Sequence, residues 1–328
     1  MRRLIGWLMV LVLGAAGLGW RWVNQSLSLS TPVIDLSIEP GTSPRGVAQA
    51  AVDAGVQTSA QGLYWWFRLS GEARLIKAGS YELEGEVTPR TLLSKLVRGD
   101  EALRAVTLVD GWTFKQMRTA LQKAEQLAPD TRGLEPELIM QKLAHPGLSP
   151  EGRFYPDTYT YAKGSSDLAV LKRAMRAMDH HLEAAWQVRQ SDLPLKTPDD
   201  LLTLASIIEK ETGRTSDRPM IASVFTNRLR IGMLLQTDPT VIYGMGDKFD
   251  GNLRRRDLQT DTPWNTYTRA GLPPTPIAMP GKAALLAAAQ PARSSALYFV
   301  ARGDGSSQFS DTLEAHNRAV NKYQRGGP

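Results

Sequence analysis

Two glutamates one residue apart, in the run Glu209-Lys210-Glu211-Thr212, are followed about two dozen residues later by Gln236-Thr237-Asp238. Paired carboxylates suit acid–base work on a glycosidic bond, where one carboxyl donates a proton and another accepts one or attacks. Near the carboxyl end of a helix, and partly out of water, a carboxyl holds its proton at higher pH, as a general acid at neutral pH requires. An ordinary charged helix end is the plainer reading of the same letters. The Gln-Thr-Asp turn adds amide, hydroxyl and carboxylate groups, a composition fitted to sugar hydroxyls and acetamido groups.

The element that must position these carboxyls has a well-marked start at Thr197-Pro198-Asp199-Asp200, with Thr as N-cap, Pro at the first helical position and acids where the dipole favours them. Leu201, Leu202, Leu204, Ala205, Ile207 and Ile208 form a broad apolar face, and Gly213 is the expected stop. Glu209 and Glu211 then lie about 160° apart, on opposite edges of that face, both half-buried, so the wheel does not choose between them. A second amphipathic helix is expected over residues 221–229. The polar turn from Leu235 to Gly244 opens another, and Pro263-Trp264-Asn265-Thr266-Tyr267 and Gly271-Leu272-Pro273-Pro274 read as stiff, aromatic loops.

Earlier in the chain, residues 33–38 alternate as a strand and Pro40 to Pro44 break it. A helix follows over about 45–54, then a second around Leu63, Trp65, Trp66 and Leu69. A turn into a strand comes near 77–83, and Thr88-Pro89 opens a helix through Leu96. This strand–helix–helix–strand–helix order predicts a small α+β module of its own. A strand is expected over 105–109. The loop 151–161 holds three tyrosines and a phenylalanine, read as an aromatic mini-core in preference to a sugar-stacking surface.

At 328 residues, 42% apolar and 22% charged, the chain can bury a core and exceeds one average domain. The net charge of +6 suits an anionic polymer or a membrane surface. It does not indicate nucleic acid, because the basic run Arg254-Arg255-Arg256 lacks interleaved aromatics. There is no cysteine, which excludes thiol chemistry, and the four histidines form no metal-ligand motif. No metal or cofactor is expected, and His180 and His181 read as a solvated helix face. Arg2-Arg3 precede an uncharged run over residues 4–20, followed by Arg21-Trp22. That pattern reads as an uncleaved single-pass anchor with the arginines on the cytoplasmic side and everything after residue 25 outside. The expected organisation is an anchor over 1–25, a tether over 26–32, the small module over 33–104 and a larger domain over 105–328.

With these residues assembled, the chain resembles the MltG (YceG-like) family of endolytic murein transglycosylases. The resemblance rests on the run from Ala205 to Thr212, on Ala222-Ser223-Val224-Phe225 with Asn227-Arg228-Leu229, and on Leu235 to Gly244. It continues through Asn265-Thr266-Tyr267, Gly271-Leu272-Pro273-Pro274, Leu297 to Ala301 and His316-Asn317. It implies an α+β fold: an N-terminal membrane anchor helix, a LysM-like α+β module and a mainly helical catalytic domain with short strands. It further implies a lytic transglycosylase at the inner membrane, with its catalytic domain in the periplasm. Such an enzyme cuts the bond between N-acetylmuramic acid and N-acetylglucosamine of nascent peptidoglycan, leaves 1,6-anhydro ends and has a role in ending glycan elongation. Peptidoglycan synthases are the implied partners. The family's acid maps to Glu211, with Gln236, Asp238, Asn265 and Tyr267 as expected cleft residues, while Trp264 departs from the tyrosine of the family pattern. The alternatives are a non-catalytic peptidoglycan-binding scaffold and a murein hydrolase using Glu211 and Asp238 as a pair.

Overall fold

The computed structural model describes residues 2–100 and 102–326, a mixed α+β structure that is mostly helical with short strands. It divides into two compact units, residues 1–104 with 160–164, and residues 105–159 with 165–328.

The first unit begins with α1 (Arg2–Val23). Among the described residues no helix is long and apolar enough to cross a membrane. Many side chains of the run expected as the anchor lie outside the described residues. Short strands β1 (Ser28–Leu29) and β3 (Val56–Gln57) pair antiparallel. The main ribbon joins β2 (Val33–Ile38) to β4 (Gly79–Glu84), with Leu36 opposite Tyr81. Strict alternation in β2 puts Ile34, Leu36 and Ile38 inward, as a half-buried strand demands. Three helices of the unit start on a hydroxyl that accepts an orphan backbone N–H: Ser43 for α2 (Pro44–Asp53), Ser59 for α3 (Ala60–Leu69) and Thr88 for α4 (Pro89–Arg98). Leu63 and Phe67 of α3, with Leu92, Leu93 and Leu96 of α4, close the core over the ribbon. The order expected from the pattern is present over β2, α2, α3, β4 and α4. Trp22 and Val23 at the end of α1 also join this core: Val23 is buried, and Trp22 packs so near Gly62 that a Cβ there would lie 3.1 Å from its ring.

The chain passes between the units in a two-stranded ribbon of β5 (Leu103–Thr107) and β6 (Thr158–Ala162). β5 begins and ends two residues earlier than the expected 105–109; beyond it Gly111, in the left-handed region, turns the chain and its N–H donates to the Met279 carbonyl.

In the second unit, α5 (Phe114–Lys123) and α6 (Pro136–Lys142) precede the long α7 (Asp167–Gln187). Next come α8 (Pro198–Glu211), α9 (Arg218–Arg230), α10 (Asp238–Met245), α11 (Arg255–Gln259) and α12 (Lys282–Ala289). The hairpin of β7 (Tyr298–Ala301) and β8 (Ser307–Ser310) and the last helix, α13 (Leu313–Gln324), complete it. The core is built around α8, whose residues 201–208 are all buried against α7, α9 and α12. The alanines of α12 allow close approach, and α8 has no solvent face along that stretch. This corrects the amphipathic reading of α8: Thr203 and Ser206 are buried as well, and Ser206 Oγ donates to the Thr203 carbonyl at 2.7 Å and accepts the Ile277 N–H at 3.0 Å. In the loop 151–161, Phe154 is buried and stacks on Phe114 at 5.2 Å. His181, expected in solvent, is half-buried with its ring stacked on Tyr155 at 3.9 Å.

Candidate active site

Glu211 is the last residue of α8, and Thr212 leaves the helix in extended conformation. A buried helix therefore delivers the carboxyl at its negative end to the surface of the unit. Burial pushes the Glu211 pKa above the ordinary carboxyl range, a hydrogen bond from Thr237 opposes this, and the negative charge of Asp238 adds to it. The Thr237 hydroxyl donates to Oε1 of Glu211. Oε2 has no hydrogen-bond partner among the described residues, so the acidic proton belongs on that oxygen.

Thr237 is held in turn. It is the N-cap of α10, its backbone N–H donates to the Thr266 hydroxyl at 3.1 Å, and its carbonyl accepts from Thr240 at 2.7 Å. Thr240 and Thr266 hydroxyls meet at 2.8 Å, and all three threonines are buried. This locked network fixes the hydroxyl that orients the acid. Gln236, just before it, adopts a left-handed φ of 48°, strained for a residue with a side chain, and its N–H donates to the Thr266 carbonyl at 3.1 Å. Tyr267 donates its hydroxyl to Asp238 at 2.5 Å.

Glu211 opens on a cleft of about 640 Å³ whose lining includes Arg228, Gln236, Asp238, Tyr267, Tyr298 and His316. The structure thus brings Glu211, Gln236, Asp238 and Tyr267 together. Asn265, expected on the cleft wall, is instead fully buried beneath it. Its amide donates to the carbonyls of Leu258 at 3.0 Å and Thr260 at 2.7 Å, and its oxygen accepts the Tyr267 N–H at 2.8 Å, so its polar capacity is spent shaping the loop that presents Tyr267. Trp264 donates its indole N–H to Thr275 at 2.9 Å and packs edge-on to Tyr243.

Glu209 is not in the cleft. Its side chain is 4% exposed, paired with Arg218 at 2.6 Å, and its second oxygen accepts the Gly281 N–H at 3.0 Å. A Cβ at Gly281 would stand 2.6 Å from the Asp110 carboxylate, so only glycine lets that backbone approach. Neighbouring elements bury this carboxyl against a guanidinium, a pairing that the wheel of a single helix does not show.

Sequence reasoning missed several groups. Thr237 was legible only as part of the polar turn, although a Thr before Asp-Pro is an N-cap pattern. Arg228, Tyr298 and His316 stand in blocks that carry the family resemblance, but they lie far apart in sequence and nothing local marks them as cleft residues. Glu151, outside the cleft, is also buried; it accepts the Phe114 N–H at 3.0 Å and the Tyr243 hydroxyl at 3.2 Å, and burial raises its pKa to about 7.

Fold and cleft together define a class: an α+β protein whose cleft holds a carboxyl of raised pKa, Glu211, beside the Asp238 carboxylate and amide, hydroxyl and aromatic groups. The chain belongs to the YceG-like family, whose model matches residues 36–322. It is 30% identical over 318 residues to the endolytic murein transglycosylase of Bacillus subtilis, covering 90% of this chain and 86% of that one. The endolytic murein transglycosylase of Streptococcus pneumoniae is 27% identical over 363 residues; the match takes in 97% of this chain and 64% of that relative. The crystal structure of a yceG-like protein from Listeria monocytogenes superposes with a TM-score of 0.55 at 30% identity, covering 88% of this chain and 99% of that one.

Proposed function

We propose that this chain is an endolytic murein transglycosylase with Glu211 as its single catalytic acid and base. The observation that carries the reading is a carboxyl of raised pKa at the end of a buried helix, one oxygen held by Thr237 and the other free in a polar cleft. Its relatives named as endolytic murein transglycosylases support the substrate class. Protonated Glu211 donates its proton to the glycosidic oxygen, and the bond from that oxygen to C1 of N-acetylmuramic acid breaks. The carboxylate then takes the proton of the sugar's own 6-hydroxyl, whose oxygen bonds to C1. The 1,6-anhydro end forms, no water is consumed, and the acid is regenerated. Gln236, Asp238 and Tyr267 contact the glycan; Asn265 supports Tyr267 from beneath.

A second carboxylate is not required. Asp238 shares the cleft, but its Oδ1 is occupied by the Tyr267 hydroxyl. Residues 33–104 are assigned as a LysM-like glycan-binding module, and 105–328 as the catalytic domain. Helix α1 is assigned as the membrane anchor: its 22 residues reach about 33 Å at about 1.5 Å per residue, and Trp7, Leu13, Leu18 and Trp20 are exposed. The anchor places the rest of the chain on the periplasmic side of the inner membrane, beside nascent strands and the synthases that make them.

The test is to incubate the full chain in detergent with murein and weigh the products. Anhydro ends are lighter by one water than hydrolysed ends. Hydrated ends would favour the Glu211–Asp238 hydrolase, and binding without cutting would favour a scaffold.

A further inference from the structure

The wall of the cleft supplied by α9, β7 and α13 carries two hydrogen-bond donors that no described residue accepts from. Arg228 is only 7% exposed, yet it forms no ion pair among the described residues. Its Nε donates to the Leu297 carbonyl at 2.7 Å, and Nη1 donates to the carbonyls of Leu235 at 2.7 Å and Leu234 at 3.3 Å. Nη2 has no acceptor among the described residues. A guanidinium held nearly out of water with a free nitrogen on a cleft is poised for an acceptor oxygen from outside.

His316 stands on the same side. Its ring stacks on Tyr298 at 5.2 Å and 23°, and the Arg228 guanidinium lies 5.3 Å from the centroid of the same tyrosine ring. His316 Nδ1 is buried with no partner. A proton on Nδ1 would be a buried, unsatisfied donor, so the neutral ring carries its proton on Nε2. Burial and the neighbouring Arg228 charge lower the His316 pKa, which keeps the ring neutral. Nε2 likewise has no acceptor among the described residues. Arg228, Tyr298 and His316 all line the cleft that holds Glu211, and the Arg228 charge acts on the Glu211 carboxyl.

We propose that Arg228 Nη2 and His316 Nε2, backed by the Tyr298 ring, form a subsite that binds the carbonyl oxygen of an N-acetyl group on the sugar beside the bond being cut. This rests on the transglycosylase reading. The acetamido group sits on the carbon next to C1, which makes its carbonyl the strong acceptor nearest the bond on which Glu211 acts. The two donors would thus align the sugar with the acid and select N-acetylated over N-deacetylated glycan.

The test uses the full chain carrying Glu211→Gln, which holds glycan without cutting it, and measures affinity for N-acetylated and N-deacetylated strands with intact stem peptides. Deacetylation weakens binding about tenfold or more, the equivalent of one or two charge-assisted hydrogen bonds. Adding His316→Ala weakens binding of acetylated strands about fivefold and leaves deacetylated strands unchanged, whereas His316→Gln, whose amide can donate in place of Nε2, restores much of the loss. Equal losses on both strands overturn the proposal and make His316 a packing residue. A His316→Ala penalty that persists on deacetylated strands and disappears when stem peptides are removed also overturns it, naming a stem carboxylate as the acceptor. The mass of the ends released by the unsubstituted chain is read separately. Hydrated ends there, with the binding pattern intact, would remove the transglycosylase reading and leave the subsite standing.

Discussion

At the scale of single residues, the candidate chemistry turns on how Glu211 is held. Replacing it by Gln removes the proton donor while keeping shape and neutral hydrogen bonding, and is expected to lower turnover on murein by about 10²–10⁴-fold with unchanged thermal unfolding. Among the described residues Thr237 supplies the hydrogen bond that favours the charged carboxylate. Thr237→Val removes it, so the Glu211 pKa rises further. Because the proposed reaction needs Glu211 protonated, the alkaline fall of the pH–rate profile should move to higher pH in Thr237→Val, while maximal turnover drops through lost orientation. An unmoved alkaline limb would mean that a different group controls it.

At the scale of elements, the two glutamates are separated by what packs around α8. Glu209 forms a buried pair with Arg218 and bonds to the backbone of Gly281, tying α8 to α9 and to the segment before α12. Glu209→Ala leaves the guanidinium unpaired and is expected to cost about 3–5 kcal/mol in denaturant unfolding, while activity per folded molecule is kept. Glu151 links the start of α5 to Tyr243 on α10. Its pKa is raised from 4.5 unfolded to about 7 folded, so the folded state holds this proton more tightly. Its effect is therefore absent below about pH 4.5, and stability falls as pH rises from there through about 7. Glu151→Gln keeps both contacts without a charge. It should raise stability at pH 8 by up to about 3 kcal/mol and flatten the decline between pH 5 and 8, as measured by urea unfolding across pH.

At the scale of the whole molecule, the proposed anchor and the first unit meet in the same helix. Val23 and Trp22 are part of the packing of that unit. Trp20 and Trp22 also line an apolar groove of about 520 Å³ with Trp65, Trp66 and Leu69. A chain starting at Trp20 should stay in the supernatant when sedimented with lipid vesicles, while the full chain pellets with them. A chain starting at Gln25 should in addition lose thermal stability in the first unit, because it lacks both packed residues. Co-sedimentation of the chain starting at Trp20 would assign membrane binding to a surface other than α1.

What the sequence determined by itself is local and periodic. The Thr197-Pro198-Asp199-Asp200 cap, the alternation of residues 33–38, the Thr88-Pro89 start and the Gln236-Thr237-Asp238 turn each encode structure within a few residues, so the elements and Glu211 with its polar turn could be read directly. A helical wheel reports only one helix's own faces. It placed Glu209 and Glu211 as equals; the family resemblance pointed to Glu211, and the packing of Arg218 and Gly281 on one and of Thr237 on the other supplies the physical difference between them. Asn265 illustrates the same limit, since an amide in an aromatic loop suits a sugar or a backbone equally well until the loop closes around it. The tertiary structure alone decided that Arg228, Tyr298 and His316 share a cleft with Glu211. Their meeting depends on contacts between α9, β7 and α13, which are distant in the chain, and no pattern along the chain encodes which distant surfaces will meet.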